Sequence, residues 1–137
     1  RLLLLDEPTS GLDPVSRDEL MDILAGYIED GERSVLFSTH ITSDLERAAD
    51  YITYIKDGAI FYTGQKEEFE DSYRKVKGGP DELTPSLQRK LMGLRRYSSG
   101  FEALILTKDL AGERVVSEPA SIDDIIVFTS KEGELYD

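Results

Sequence analysis

The sequence predicts an α/β chain, with parallel strands in its first half and a small α+β region after it. Three observations carry that reading. Two short apolar runs, Leu2 to Leu5 and Val35 to Phe37, each lead through a polar loop into a stretch of helical spacing. Asp57-Gly58 sits between two runs rich in β-branched and aromatic residues. Charge is also unevenly placed: residues 1–70 hold 6 Lys/Arg against 16 Asp/Glu, and residues 71–137 hold 10 against 12. That shift near Glu70 implies a boundary there, with expected units 1–70 and 71–137.

The elements follow in order. Four consecutive leucines suit a strand buried on both faces, as in a parallel sheet covered by helices. Asp6 and Glu7 then stand at its carboxyl end, where open α/β sheets bind ligands. Asp13-Pro14 reads as a helix start, because the carboxylate can cap free N–H groups and proline tolerates the first helical position. Leu20, Ile23, Leu24, Tyr27 and Ile28 recur at helical spacing until Gly31 supplies a stop. Residues 34–38 form a second strand ending at Thr39-His40. Ser43 and Glu46 match a capping box for the next helix. Strand–helix–strand–helix order implies parallel pairing through right-handed crossovers, so Asp6, Glu7 and His40 are expected to converge.

Residues 51–63 read as a hairpin around Asp57-Gly58, and a short acidic helix runs through Phe69. Tyr73 to Lys77 is an expected strand. Thr84-Pro85 opens an expected helix bearing Leu87, Leu91 and Leu94. Residues 94–98 and 101–107 are expected to pair, Arg114 to Ser117 to add an edge, and Ser121 to cap a final helix through Phe128.

Composition narrows the function classes. At 39% hydrophobic and 32% charged residues, the balance fits a soluble globular chain. No apolar run approaches the roughly 20 residues needed to span a bilayer. The net charge of -12 argues against broad nucleic-acid binding, which needs a basic face. The lack of cysteine removes disulfides and thiolate metal sites.

Leu2 to Pro14, read with Phe37-Ser38-Thr39-His40, resembles the ATP-binding subunits of ABC transporters: apolar strand, Asp-Glu, Pro-Thr-Ser-Gly-Leu-Asp-Pro, then Ser-Thr-His. The resemblance covers residues 1–64 most closely. It implies the C-terminal half of a P-loop NTPase parallel sheet, followed by an α+β accessory region. Asp6 matches the Walker B aspartate, which positions Mg²⁺ through water. Glu7 matches the catalytic glutamate, a general base toward the water that attacks ATP. Ser10 to Asp13 look like the D-loop, which reaches the second nucleotide-binding subunit. His40, the sole histidine, matches the switch histidine at the γ-phosphate.

The departures are equally specific. No Gly-x-x-x-x-Gly-Lys-Ser/Thr loop, signature motif or glutamine loop occurs in these residues. The resemblance therefore implies a fragment of a longer ATPase, inactive alone and able to self-associate through an unpaired sheet edge. It also implies a cytoplasmic location at the inner membrane face, a permease partner and no nucleic acid. Residues 40–64 and the closing 121–128 stretch are similar to Gram-positive exporters of drugs and antibiotic peptides. Two alternatives stand beside this: a noncatalytic regulatory or interaction module derived from such an ATPase, and a soluble ABC ATPase without a transport role.

Overall fold

The computed structural model describes residues 1–130. These form two compact units that divide between Asp50 and Tyr51, with five α-helices and three sheets among the described residues.

The first unit contains β1 (Leu2–Asp6), α1 (Pro14–Tyr27), β2 (Ser34–Ser38) and α2 (Thr42–Ala48). β1 and β2 pair in parallel, with Leu2 opposite Ser34 and Asp6 opposite Ser38. Asp13 caps α1 by accepting from the Ser16 N–H at 2.8 Å, and Pro14 occupies its first turn. Met21 and Leu24 form the buried stripe of that helix. After its last turn the chain reverses through Gly31, which takes a left-handed φ of 76°. The expected burial of β1 on both faces does not occur. Leu2 and Leu4 are 61% and 64% exposed, while Leu3 and Leu5 are half-buried. A sheet of two strands with one crossover helix covers one face only.

The Ser43–Glu46 box does not open α2 as expected. That helix starts earlier, with Ile41 in the capping position. The turn before it is set by Thr39, whose Oγ1 accepts from the Ile41 N–H at 2.9 Å. Ser43 consequently lies inside the helix.

The second unit opens with the hairpin β3 (Tyr51–Lys56) and β4 (Ala59–Gln65). Asp57 and Gly58 take φ values of 51° and 78°, the left-handed pair that a two-residue hairpin turn requires. α3 (Lys66–Asp71) follows and buries Phe69 completely. The Phe69 ring lies 4.5 Å from that of Tyr62 and 5.8 Å from that of Tyr73. This aromatic cluster runs across position 70, so packing carries the chain through the charge shift that the sequence shows there. Residues 131–137 of the expected 71–137 region lie outside the described residues.

An antiparallel sheet completes the unit. Its strands are β5 (Tyr73–Gly78), β6 (Leu91–Tyr97), β7 (Gly100–Leu106) and β8 (Val116–Pro119), in the order β6-β7-β5-β8. Val76, Leu94, Phe101, Ala103 and Ile105 form its core with Leu87. α5 (Ile122–Ser130) buries Ile122, Ile125 and Phe128. Ser121 and Asp124 cap it reciprocally, at 3.0 and 3.1 Å.

The helix expected from Thr84 through Leu94 is corrected to one turn, α4 (Pro85–Gln88), capped by Thr84. Leu91 and Leu94 belong to β6 instead, and Leu91 pairs with Ile105. Spacing at 87, 91 and 94 fits a helix, but it also fits a short turn feeding a bulged strand. The bulge is visible as a register shift between Met92 and Arg95 around Gly93, whose φ is 62°. No helix among the described residues is long and apolar enough to cross a membrane.

Candidate active site

The site is built where β1 and β2 end side by side. Parallel pairing sets Asp6 opposite Ser38, and the Ser38 hydroxyl donates to Asp6 Oδ1. The Glu7 N–H continues the ladder, donating to the Ser38 carbonyl at 2.9 Å and reaching Ser38 Oγ at 3.2 Å. Glu7 itself takes a left-handed φ of 47°, which is uncommon for a residue with a side chain and carries a backbone cost. That turn ends the strand abruptly. Two tight turns follow, with Ser10 N–H donating to Glu7 O at 3.1 Å and Leu12 N–H to Thr9 O at 3.0 Å.

Across from this turn lies His40, one residue beyond the Ser38-Thr39 exit of β2. Its Nδ1 stands 2.9 Å from Glu7 Oε1, and its backbone N–H lies 3.4 Å from Glu7 Oε2. Both carboxylate oxygens of Glu7 therefore meet the same residue. The His40 side chain is 75% exposed and that of Glu7 33%, so the pair opens to solvent.

The structure thus brings Asp6, Glu7 and His40 together. Ser10 and Asp13 lie farther along the loop. Ser10 joins the site through its backbone, while the Asp13 carboxylate is engaged in capping α1. The Ser16 N–H, with the Ser16 side chain as a lesser contribution, holds the Asp13 carboxyl below its ordinary range. No role was assigned from sequence to Ser38 or to a second feature of this region. Ser38 could have been found by laying the two strands side by side, since their register puts it against Asp6. The other is a buried pair, Thr9 and Asp44, whose hydroxyl-to-carboxyl bond nothing in local spacing announces.

The donor chemistry suits a small, hard cation. Asp6 and Ser38 present oxygens, the ligand type Mg²⁺ prefers. Among the described residues no group of three or more His, Cys, Asp or Glu side chains could hold a metal ion. An ion here would rely on one carboxylate, with water and phosphate oxygens completing its shell, which is how Mg²⁺ is held at nucleotide sites.

No family model matches the chain. Among curated proteins, it is 43% identical over 60 residues to the lantibiotic transport ATP-binding protein SrtF of Streptococcus pyogenes, covering 44% of this chain and 26% of that protein. It is 34% identical over 93 residues to the uncharacterized ABC transporter ATP-binding protein YxlF of Bacillus subtilis, covering 68% and 29%. It is 35% identical over 113 residues to the thiamine import ATP-binding protein ThiQ of Mesorhizobium japonicum, covering 82% and 38%. The chain therefore spans well under half the length of these relatives. Its homologues are ATP-binding proteins of ABC transporters.

Proposed function

We propose that this chain supplies the hydrolytic edge of an ATP site in the ATP-binding subunit of an ABC transporter. The observation that carries the reading is the contact of His40 with Glu7 at the ends of two parallel strands, in a chain whose relatives are such proteins. In this role Glu7 orients a water and takes its proton on a carboxylate oxygen. His40 holds that carboxylate through Nδ1, leaving the imidazole's other nitrogen for the nucleotide's terminal phosphate. Asp6, steadied by the Ser38 hydroxyl, holds the oxygen shell of Mg²⁺, which supplies charge neutralisation at the phosphates when bound. Ser10 and Asp13 face a second nucleotide-binding subunit across the ATP.

The remaining parts of the reading rest on the same resemblance. β1 and β2 belong to a larger P-loop parallel sheet, the subunit works at the cytoplasmic face beside a permease, and the direction is export. Export draws on the exporter-like residues 40–64, set against relatives that include a protein named for thiamine import. This chain alone does not turn over ATP, because it carries no phosphate-binding Gly-x-x-x-x-Gly-Lys-Ser/Thr loop.

The test is ATP hydrolysis by the complete subunit with its permease. Removing a general base typically costs about 10²–10⁴-fold in rate, so Glu7→Gln should lower kcat by that factor while Mg²⁺-dependent ATP binding persists. Full turnover in Glu7→Gln would remove the assigned role.

A further inference from the structure

Asp44 is the unexpected buried group of the first unit. It stands in the first turn of α2 and is 1% exposed, and Thr9 is fully buried against it. Its Oδ2 accepts from Thr9 Oγ1 at 2.5 Å and from Thr39 Oγ1 at 3.4 Å. On its other oxygen, Arg17 Nε of α1 approaches to 3.9 Å. A carboxyl group removed from water is costly unless partners replace the water. Here the partners come from both loops that carry the site. Thr9 lies two residues after Glu7, and Thr39 lies one before His40.

His40 is mostly exposed, so packing does not fix its ring. Its direction comes from the backbone that bears it, and Thr39 is where that backbone is tied down. Thr39 Oγ1 reaches Asp44 on one side and accepts from the Ile41 N–H on the other. A single carboxyl group thereby joins the turn of Glu7 to the turn of His40.

We infer that Asp44 is a positioning residue, clasping the β1–α1 loop to the β2–α2 loop through Thr9 and Thr39 and so setting His40 against Glu7. The inference rests on the reading of Glu7 and His40 as a working pair. It goes further in assigning their separation to a buried group whose partners are Thr9, Thr39 and Arg17.

His40 is the only histidine, so its imidazole signals in long-range ¹H–¹⁵N spectra of this chain are unambiguous. The measurement is the change that Glu7→Gln causes in those signals, taken in three backgrounds: unaltered, Thr9→Val and Thr9→Ser. Valine matches threonine in shape but lacks the hydroxyl, whereas serine keeps it. The expected result is a clear response in the unaltered chain, its loss in Thr9→Val and its return in Thr9→Ser. Persistence of the full response in a folded Thr9→Val chain would overturn the clasp while leaving the Glu7–His40 pair intact. Should Thr9→Val unfold, Thr39→Val at the half-buried end of the clasp reads the same comparison, and a retained response there overturns it equally. Imidazole signals indifferent to Glu7→Gln in the unaltered chain would remove the pair itself, and the clasp with it.

Discussion

Gly93→Ala tests how closely α5 is seated on β6. Gly93 sits in the β6 bulge with φ at 62°, and a Cβ built there would lie 2.3 Å from the Phe128 carbonyl oxygen and 2.9 Å from its Cα. These are backbone atoms, so no flexible side chain can swing away. Phe128 would have to retreat by roughly 0.7 Å merely to reach 3.0 Å, in an interior packed too tightly to absorb it. Overpacking of this kind costs about 1–3 kcal/mol, and a left-handed residue with a side chain adds about 1–2 kcal/mol. The expected loss is about 2–5 kcal/mol. A domain the size of the second unit loses about 4–8 °C of Tm per kcal/mol, so the transition should fall by at least about 8 °C. Thermal melts read by far-UV circular dichroism, with tyrosine fluorescence for the ring cluster of the second unit, would measure it. A Tm within about 2 °C of the parent would refute the close approach of α5 to β6.

Three other outcomes follow from the same structure. Gly26 lies inside α1 with nothing within 4 Å of its would-be Cβ, so Gly26→Ala should stabilise the first unit by about 0.5–1 kcal/mol in urea titration. Asp13 has a folded pKa below its ordinary 3.8, so its cap contributes stability above that value and loses it as pH falls through the lower folded pKa. Amide protection across the first turn of α1, taken relative to the intrinsic exchange rate at each pH, should fall on that descent, and Asp13→Ala should show the reduced protection already at neutral pH. Burial opposes charge on Lys75, but bonding to Glu118 and the fields of Asp124, Glu118 and Glu102 outweigh it and raise its pKa above 10.5. Its contribution is therefore complete below 10.5 and lost as pH rises through the folded value, and a Lys75→Met melt series should lack that alkaline step.

Much of the topology was legible because several local signals agree. Asp13-Pro14, the helical spacing from Leu20 to Ile28 and Gly31 all describe one helix, and Asp57-Gly58 allows little besides a tight hairpin. Of that spacing only Leu24 is buried, joined by Met21, while Ile23 is exposed. The stretch from Thr84 to Leu94 misled because its leucine spacing serves a helix and a bulged strand equally, and pairing with β7 decides between them. Burial of β1 was overestimated because an apolar run records what a strand can tolerate, while cover comes from other elements. At the site, strand order alone placed Asp6, Glu7 and His40 near one another. Asp44 was illegible for the opposite reason: an acid near a helix start looks solvated, and the hydroxyl that buries it arrives from Thr9, 35 positions away.

The left-handed backbone of Glu7 has a consequence for any search through sequence space. At that position glycine, and to a lesser degree asparagine or aspartate, would relax the main chain, while every other replacement inherits the same cost. A library randomised at residue 7 and sorted for thermal resistance should therefore enrich glycine and asparagine. Sorted instead for turnover in the complete subunit, it should return glutamate. The gap between the two winners would measure how much robustness the protein forgoes to keep a carboxylate at the end of this strand.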